Sequence, residues 1–158
     1  QHAIRQGLDA RIVRPFNAYG PKLLGDEYGQ VVAMFFQSVL ENEPIMIHGD
    51  GSQTRSFTWI DDVTEGFIKA ASDEAESGDV FNIGSEEEVS ICTLQEMVFA
   101  IVSEDETWFG GLPSITKGQG YHGDSVRRLP DVTNNKKIMW QAKVSLRQGL
   151  ERMWVLLR

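Results

Sequence analysis

Arg14-Pro15-Phe16-Asn17-Ala18-Tyr19-Gly20-Pro21 and, further along, Gly49-Asp50-Gly51-Ser52-Gln53-Thr54-Arg55-Ser56-Phe57-Thr58-Trp59-Ile60-Asp61-Asp62-Val63 are the segments on which the reading of this chain turns. The first ends a β-rich run that begins at Asp9, after Gly7, and closes in asparagine, glycine and proline, residues that favour turns. The second is a glycine-bounded loop, an arginine and an aromatic run that extends into a helix. Asp62, with Glu65 three residues on, forms a capping-box-like start for that helix, which is expected to run to about Ala71. Between the two segments, Val32, Phe35, Phe36, Val39 and Leu40 recur at helical spacing and predict a helix over 30–42 that Pro44 stops. Ile45-Met46-Ile47 reads as a short strand.

Outward from there, Val80 to Ile83 has the composition of a buried strand. Thr93 and Glu96 form a second capping box ahead of Leu94, Met97, Val98, Ile101 and Val102. A short helix is expected from Asn134 to Met139. Ser145 with Gln148 marks a third start, and Leu146, Leu150, Met153, Trp154 and Leu157 share one face of the last helix. Strands alternate with helices and no repeat is visible, which is an α/β pattern.

A chain of 158 residues with 41% hydrophobic content suits one domain with its own core. No run approaches the length of a membrane span, and no basic-then-apolar leader pattern is visible, so a cytoplasmic protein is the expectation. The net charge of -8 argues against nucleic acid as a partner. Glu86 to Glu88 read as a solvated acidic run. Cys92 is the single cysteine and reads as a small buried hydrophobe. His2, His48 and His122 lack ligand spacing, and no metal site is expected. No Ser-His-Asp or Cys-His set suggests a hydrolase.

Arg55 is the strongest site candidate, because a guanidinium is a planar fork of donors that matches phosphate oxygens; the alternative is a surface arginine that stabilises its loop. Gln53 beside it is read either as a ligand contact or as a tie on the loop backbone. Asn17 lies at the C-terminal end of a strand, where open α/β sheets place ligands, and its amide both donates and accepts. Tyr19-Gly20-Pro21 serves a site or a turn equally well. Asp62 reads as a helix cap, and Asn82 with Gly84 as a strand-closing turn.

Together these two segments resemble the C-terminal part of the NAD-dependent sugar-nucleotide epimerases and dehydratases, within the extended short-chain dehydrogenase/reductase superfamily. The resemblance continues through Val80-Phe81-Asn82-Ile83-Gly84, Arg128-Leu129-Pro130-Asp131-Val132 and Val144-Ser145-Leu146-Arg147-Gln148-Gly149-Leu150-Glu151. It covers nearly the whole chain and is poor only over residues 100–120. The family's GxxGxxG turn is absent, and so is its catalytic YxxxK pair: Tyr19, Tyr28 and Tyr121 are followed four positions on by Leu23, Val32 and Ser125.

The resemblance implies a truncated Rossmann-like fold. Residues 1–20 and 62–84 would be remnants of the nucleotide-binding sheet, and 21–61 and 85–158 the substrate-binding portion. It implies a nucleotide-diphosphate sugar, of UDP or dTDP type, as ligand. Arg55 would hold the diphosphate, Asn17 its phosphate region, and Arg128 the diphosphate or the ribose. Asp124 would bond a ribose hydroxyl, while Val31 and Val32 would lie near the base or serve as ordinary core. NAD is the cofactor of the intact family; none is expected for this chain alone, and Pro15 would meet the nicotinamide end only once the missing half is present.

The chain departs from the family where His122-Gly123 replaces a frequent arginine-proline, and again at Ile138-Met139-Trp140, where relatives usually read leucine-glycine-tryptophan. An inactive fragment is expected that needs its N-terminal half in trans and either self-associates through exposed strands or rearranges its fold. The alternatives are a stand-alone nucleotide-sugar-binding module and an interaction or structural protein on the same scaffold.

Overall fold

In chain order the elements are β1 (Ile12–Pro15), β2 (Ala18–Tyr19), α1 (Val31–Glu41), β3 (Ile45–His48), β4 (Thr54–Ser56), β5 (Thr58–Trp59), α2 (Ile60–Ala70), β6 (Val80–Ile83), β7 (Glu88–Ser90), α3 (Ile91–Ser103), β8 (Ile115–Gly118), β9 (Arg127–Arg128), a 3-10 turn (Thr133–Lys136) and α4 (Leu146–Leu157). They are seen in a computed structural model that describes residues 5–23, 30–120 and 123–158, so expectations resting on His2, Tyr28, Tyr121 and His122 lie outside the described residues. The result is a mixed α/β fold. Among the described residues, no helix is long and apolar enough to cross a membrane.

β1 and β6 pair in parallel, with Ile12 opposite Val80 and Pro15 opposite Ile83. These are the two strands expected to share the incomplete parallel sheet. The second edge of β6 is closed by side chains: Asn134 Nδ2 donates to Val80 O at 3.0 Å and Asn135 Nδ2 to Asn82 O at 2.9 Å. Among the described residues, no strand pairs with the second edge of β1. Two further parallel pairs are β2 with β5 and β3 with β8, and a three-stranded sheet has the order β7-β4-β9.

The helices show where local rules were sufficient and where they were not. α1 buries Val32, Ala33, Phe35, Phe36 and Val39, the face its spacing predicts, and each large apolar side chain so buried is worth roughly 1.5–3 kcal/mol. Asn42, in the left-handed conformation, ends this helix before Pro44 is reached, and Glu43 N–H closes the turn on Ser38 O. α3 starts at Ile91 and not after Thr93, because Ser90 is the cap: its hydroxyl accepts from Thr93 N–H. The capping box of Ser145 and Gln148 forms as read. The short helix expected over Asn134 to Met139 is a single 3-10 turn, and Met139 turns back at a φ of 48°.

Two apolar clusters result. The larger packs α1, α3 and α4 around β3, Phe57 and Trp59, with Tyr19 edge-on to both of those rings and Trp154 stacked on Phe36. The smaller joins Val63 and Ala70 of α2 to Phe81 and Ile83 of β6 and to Ile138 and Trp140.

Candidate functional site

The site is assembled on the β7-β4-β9 sheet, and it begins with the loop that feeds β4. Gly49 and Gly51 both take positive φ, and a Cβ at Gly51 would lie 2.4 Å from Cys92 Sγ, so the loop turns where only glycine fits. Asp50 accepts from Ser52 N–H and Ser52 Oγ–H, which holds its carboxyl below the usual range. Gln53 Nε2 donates to His48 O at 2.9 Å, so its amide ties the loop backbone, one of its two expected roles.

β4 then presents alternate residues to opposite faces. Thr54 faces Glu88 and Arg127: its hydroxyl donates to Glu88 Oε1 at 2.6 Å, and Arg127 forks onto both oxygens of the same carboxylate at 2.7 and 2.8 Å. This pairing holds the Glu88 carboxyl down to about 2, first through Arg127 and then through Thr54. Glu88 is therefore part of the sheet and not of a solvated run. Glu87 is likewise engaged, accepting from Leu146 N–H at 2.8 Å.

Arg55 faces the other way and is only 8% exposed. Its Nη1 donates to Thr54 O and its Nη2 to Asp124 Oδ1, both at 2.7 Å. β9 runs parallel to β4 with Arg128 in register with Arg55, and Arg128 Nη2 approaches the same Asp124 oxygen at 3.8 Å. Arg55 and, from much further along the chain, Arg128 thus meet around the Asp124 carboxylate. The Arg128 side chain is half exposed. Next to Asp124, an open cleft of about 180 Å³ is lined by His48, Asp50, Gln53, Gly120 and Val126, among others.

The other candidates are placed differently. Asn17, at a φ of 35°, donates from Nδ2 to Ser56 O at 2.7 Å and accepts Thr58 N–H on its own carbonyl, so it clips the end of β1 to the strands beside Arg55. Its amide donor is committed to backbone. Val32 is 0% exposed within the larger core cluster, and its side chain serves packing; Val31 is partly buried against the same cluster. Pro15 is exposed at the end of β1. Asp62 is the third residue of α2 and not its cap. It is 4% exposed and its Oδ2 accepts from Lys143 N–H and Val144 N–H, both at 2.9 Å, fastening the approach to α4.

Sequence reading missed the Thr54-Glu88-Arg127 face. Once β9 is known to be a strand, Arg127 must point away from the face of Arg128, but two residues are too few for that alternation to be read from the sequence.

The NAD dependent epimerase/dehydratase family profile matches residues 1–84. UDP-glucuronic acid decarboxylase 2 of Arabidopsis thaliana is 35% identical over 147 residues, which are 92% of this chain and 31% of that protein. UDP-N-acetyl-alpha-D-glucosaminuronate decarboxylase of Bacillus cytotoxicus is 35% identical over 150 residues, 92% of this chain and 45% of that protein. Among solved structures, UDP-glucuronic acid 4-epimerase from Bacillus cereus, in complex with UDP-glucuronic acid and NAD, superposes with a TM-score of 0.84 at 27% identity. It matches over 98% of this chain and 47% of its own. UDP-glucose 4-epimerase from Thermotoga maritima, with UDP-glucose, gives 0.83 at 28% identity over 98% of this chain and 47% of its own. The chain thus spans less than half the length of each.

Proposed function

Because the chain belongs to the NAD dependent epimerase/dehydratase family, we propose that it is the C-terminal, nucleotide-sugar-binding part of such an enzyme, with Arg55 and Arg128 as anchors for a nucleotide diphosphate. The observation that carries this reading is the register of the two arginines. Two guanidiniums on adjacent strands and on one face make a site that favours a polyvalent anion over a neutral ligand. The UDP-sugars named for the similar decarboxylases and epimerases are ligands of this type.

In this reading, the nucleotide-binding sheet contributes β1 and β6, within residues 1–20 and 62–84, and residues 21–61 and 85–158 form the substrate-binding portion. Gln53 holds the loop that delivers Arg55, and Asn17 fixes the strand ends around it. Arg55 binds and orients the diphosphate and Arg128 adds a second cation, while Asp124, on the same loop surface, is within reach of the nucleotide.

NAD supplies hydride transfer when bound to the family's enzymes. The sequence contains neither GxxGxxG nor YxxxK, and in this reading the groups of this chain bind the sugar nucleotide without performing the redox step. Pro15 meets the cofactor only in the presence of the N-terminal half.

Thermal melting with UDP tests the reading, with uridine and NAD as controls. UDP is expected to raise the melting temperature in a saturable way while uridine and NAD do not, and the chain alone, given UDP-glucuronic acid and NAD, is expected to turn over nothing. A folded chain that UDP leaves unshifted overturns the reading.

A further inference from the structure

Arg55 and Arg128 are like charges in register on neighbouring parallel strands, an arrangement that is destabilising unless an anion stands between them. That anion is the Asp124 carboxylate, whose Oδ1 lies 2.7 Å from Arg55 Nη2 and 3.8 Å from Arg128 Nη2. Its position is set by the chain on either side. Gly123 takes a φ of 84° with nothing near the point a Cβ would occupy, and two residues beyond Asp124 the carbonyl of Val126 accepts Thr54 N–H at 2.8 Å, so the carboxylate hangs from a short strap stitched to β4. Arg55 is nearly buried, but Asp124 keeps over a third of its side chain in solvent at the edge of the cleft. Arg55 is thus the enclosed partner of the pair and Asp124 the one that solvent reaches.

We propose that Asp124 is a built-in substitute for the diphosphate, a carboxylate that occupies the Arg55 fork and that a nucleotide diphosphate displaces. This rests on the assignment of Arg55 and Arg128 as diphosphate anchors and reverses the role of Asp124, from a group that attracts the ligand to one that competes with it. A single carboxylate neutralises one of the two guanidiniums. A diphosphate brings more than one negative charge and reaches both, so the exchange favours the ligand, while a neutral nucleoside gains nothing from it. Asp124 keeps the paired cations folded at the cost of affinity.

Calorimetric titration with UDP, and with uridine as control, separates the possibilities in the wild-type chain, Asp124→Asn and Arg55→Ala. Asp124→Asn is expected to bind UDP more tightly by roughly five- to tenfold, within the range of interaction between residues of one salt-bridge network; Arg55→Ala is expected to remove UDP binding, and uridine to be unaffected. Unchanged or weakened UDP binding in Asp124→Asn, with binding still lost in Arg55→Ala, overturns the substitute role and leaves the diphosphate site standing. Failure of UDP to bind both the folded wild type and Asp124→Asn overturns the site and the substitute role together. Asp124→Ser removes the same charge with a smaller side chain and is read in the same way if the asparagine variant does not fold.

Discussion

The Tyr19 hydroxyl stands 1.8 Å from the point a Cβ would occupy at Gly149, so β2 and α4 touch where only a glycine admits the contact. The same hydroxyl donates to Leu146 O at 3.2 Å, one turn back on α4. Burial pushes the Tyr19 phenol up, and the nearby carboxylates Glu87 and Asp62 add to the shift, so it remains a neutral donor throughout the working range. Gly149→Ala gains about 1 kcal/mol of helix propensity, but the overlap with a buried ring outweighs it. The expected result is a net loss of about 1–3 kcal/mol in urea unfolding. Adding Tyr19→Phe removes the oxygen, and the double variant is expected to lose less than the sum of the two single losses.

Asp62 fastens two backbone amides ahead of α4 from inside the core. Asp62→Ala leaves the part-buried Lys143 N–H and Val144 N–H without that partner, at about 0.5–1.5 kcal/mol for each hydrogen bond lost. The far-ultraviolet spectrum is expected to keep its shape while the denaturation midpoint falls. A midpoint equal to wild type contradicts the assignment of this carboxylate as a structural tie.

Acid should loosen the β7-β4-β9 sheet. The Glu88 carboxyl is lowered in the folded chain from 4.5 to about 2, so its contribution is fully present above the unfolded value and is lost as the pH falls through the folded one. Between pH 4.5 and 2, wild type is expected to lose stability more steeply than Glu88→Gln, measured by thermal melts across that window.

The second edge of β1 offers backbone to a partner strand, and Ile12 beside it is more than a third exposed. Sedimentation is expected to show concentration-dependent association of the isolated chain, and Ile12→Lys to shift it toward monomer. A wild-type chain that is monomeric at every concentration contradicts association through this edge.

The helix faces were legible because several apolar residues at a fixed spacing repeat the same message: α1 needed only Val32, Phe35, Phe36 and Val39. Helix starts were less so. Asp62 with Glu65 and Thr93 with Glu96 both satisfy the capping pattern, yet tertiary contacts with Lys143 and Val144 claim the first and an upstream Ser90 replaces the second. Arg55, Asp124 and Arg128 could be picked from their chemistry and motif context, but their meeting could not. It depends on β9, a strand of two residues, which is too short to show a period of two. β8 was illegible for a related reason: in Ile115–Gly118 only the first residue is apolar, and its partner strand β3 begins at Ile45, far back in the sequence. Val32 shows the opposite case, where helical periodicity pointed to the core and the family resemblance pointed to the ligand; the structure puts it in the core.

The central claim is that Arg55 and Arg128 together hold a nucleotide diphosphate, and nuclear magnetic resonance of the arginine Nε–H groups during a UDP titration tests it most directly. The account predicts that the Arg55 and Arg128 signals, assigned through Arg55→Lys and Arg128→Lys, move together and saturate at one UDP concentration, while uridine leaves them in place. Saturable shifts confined to other residues, or no shift at all in a folded chain, would contradict it.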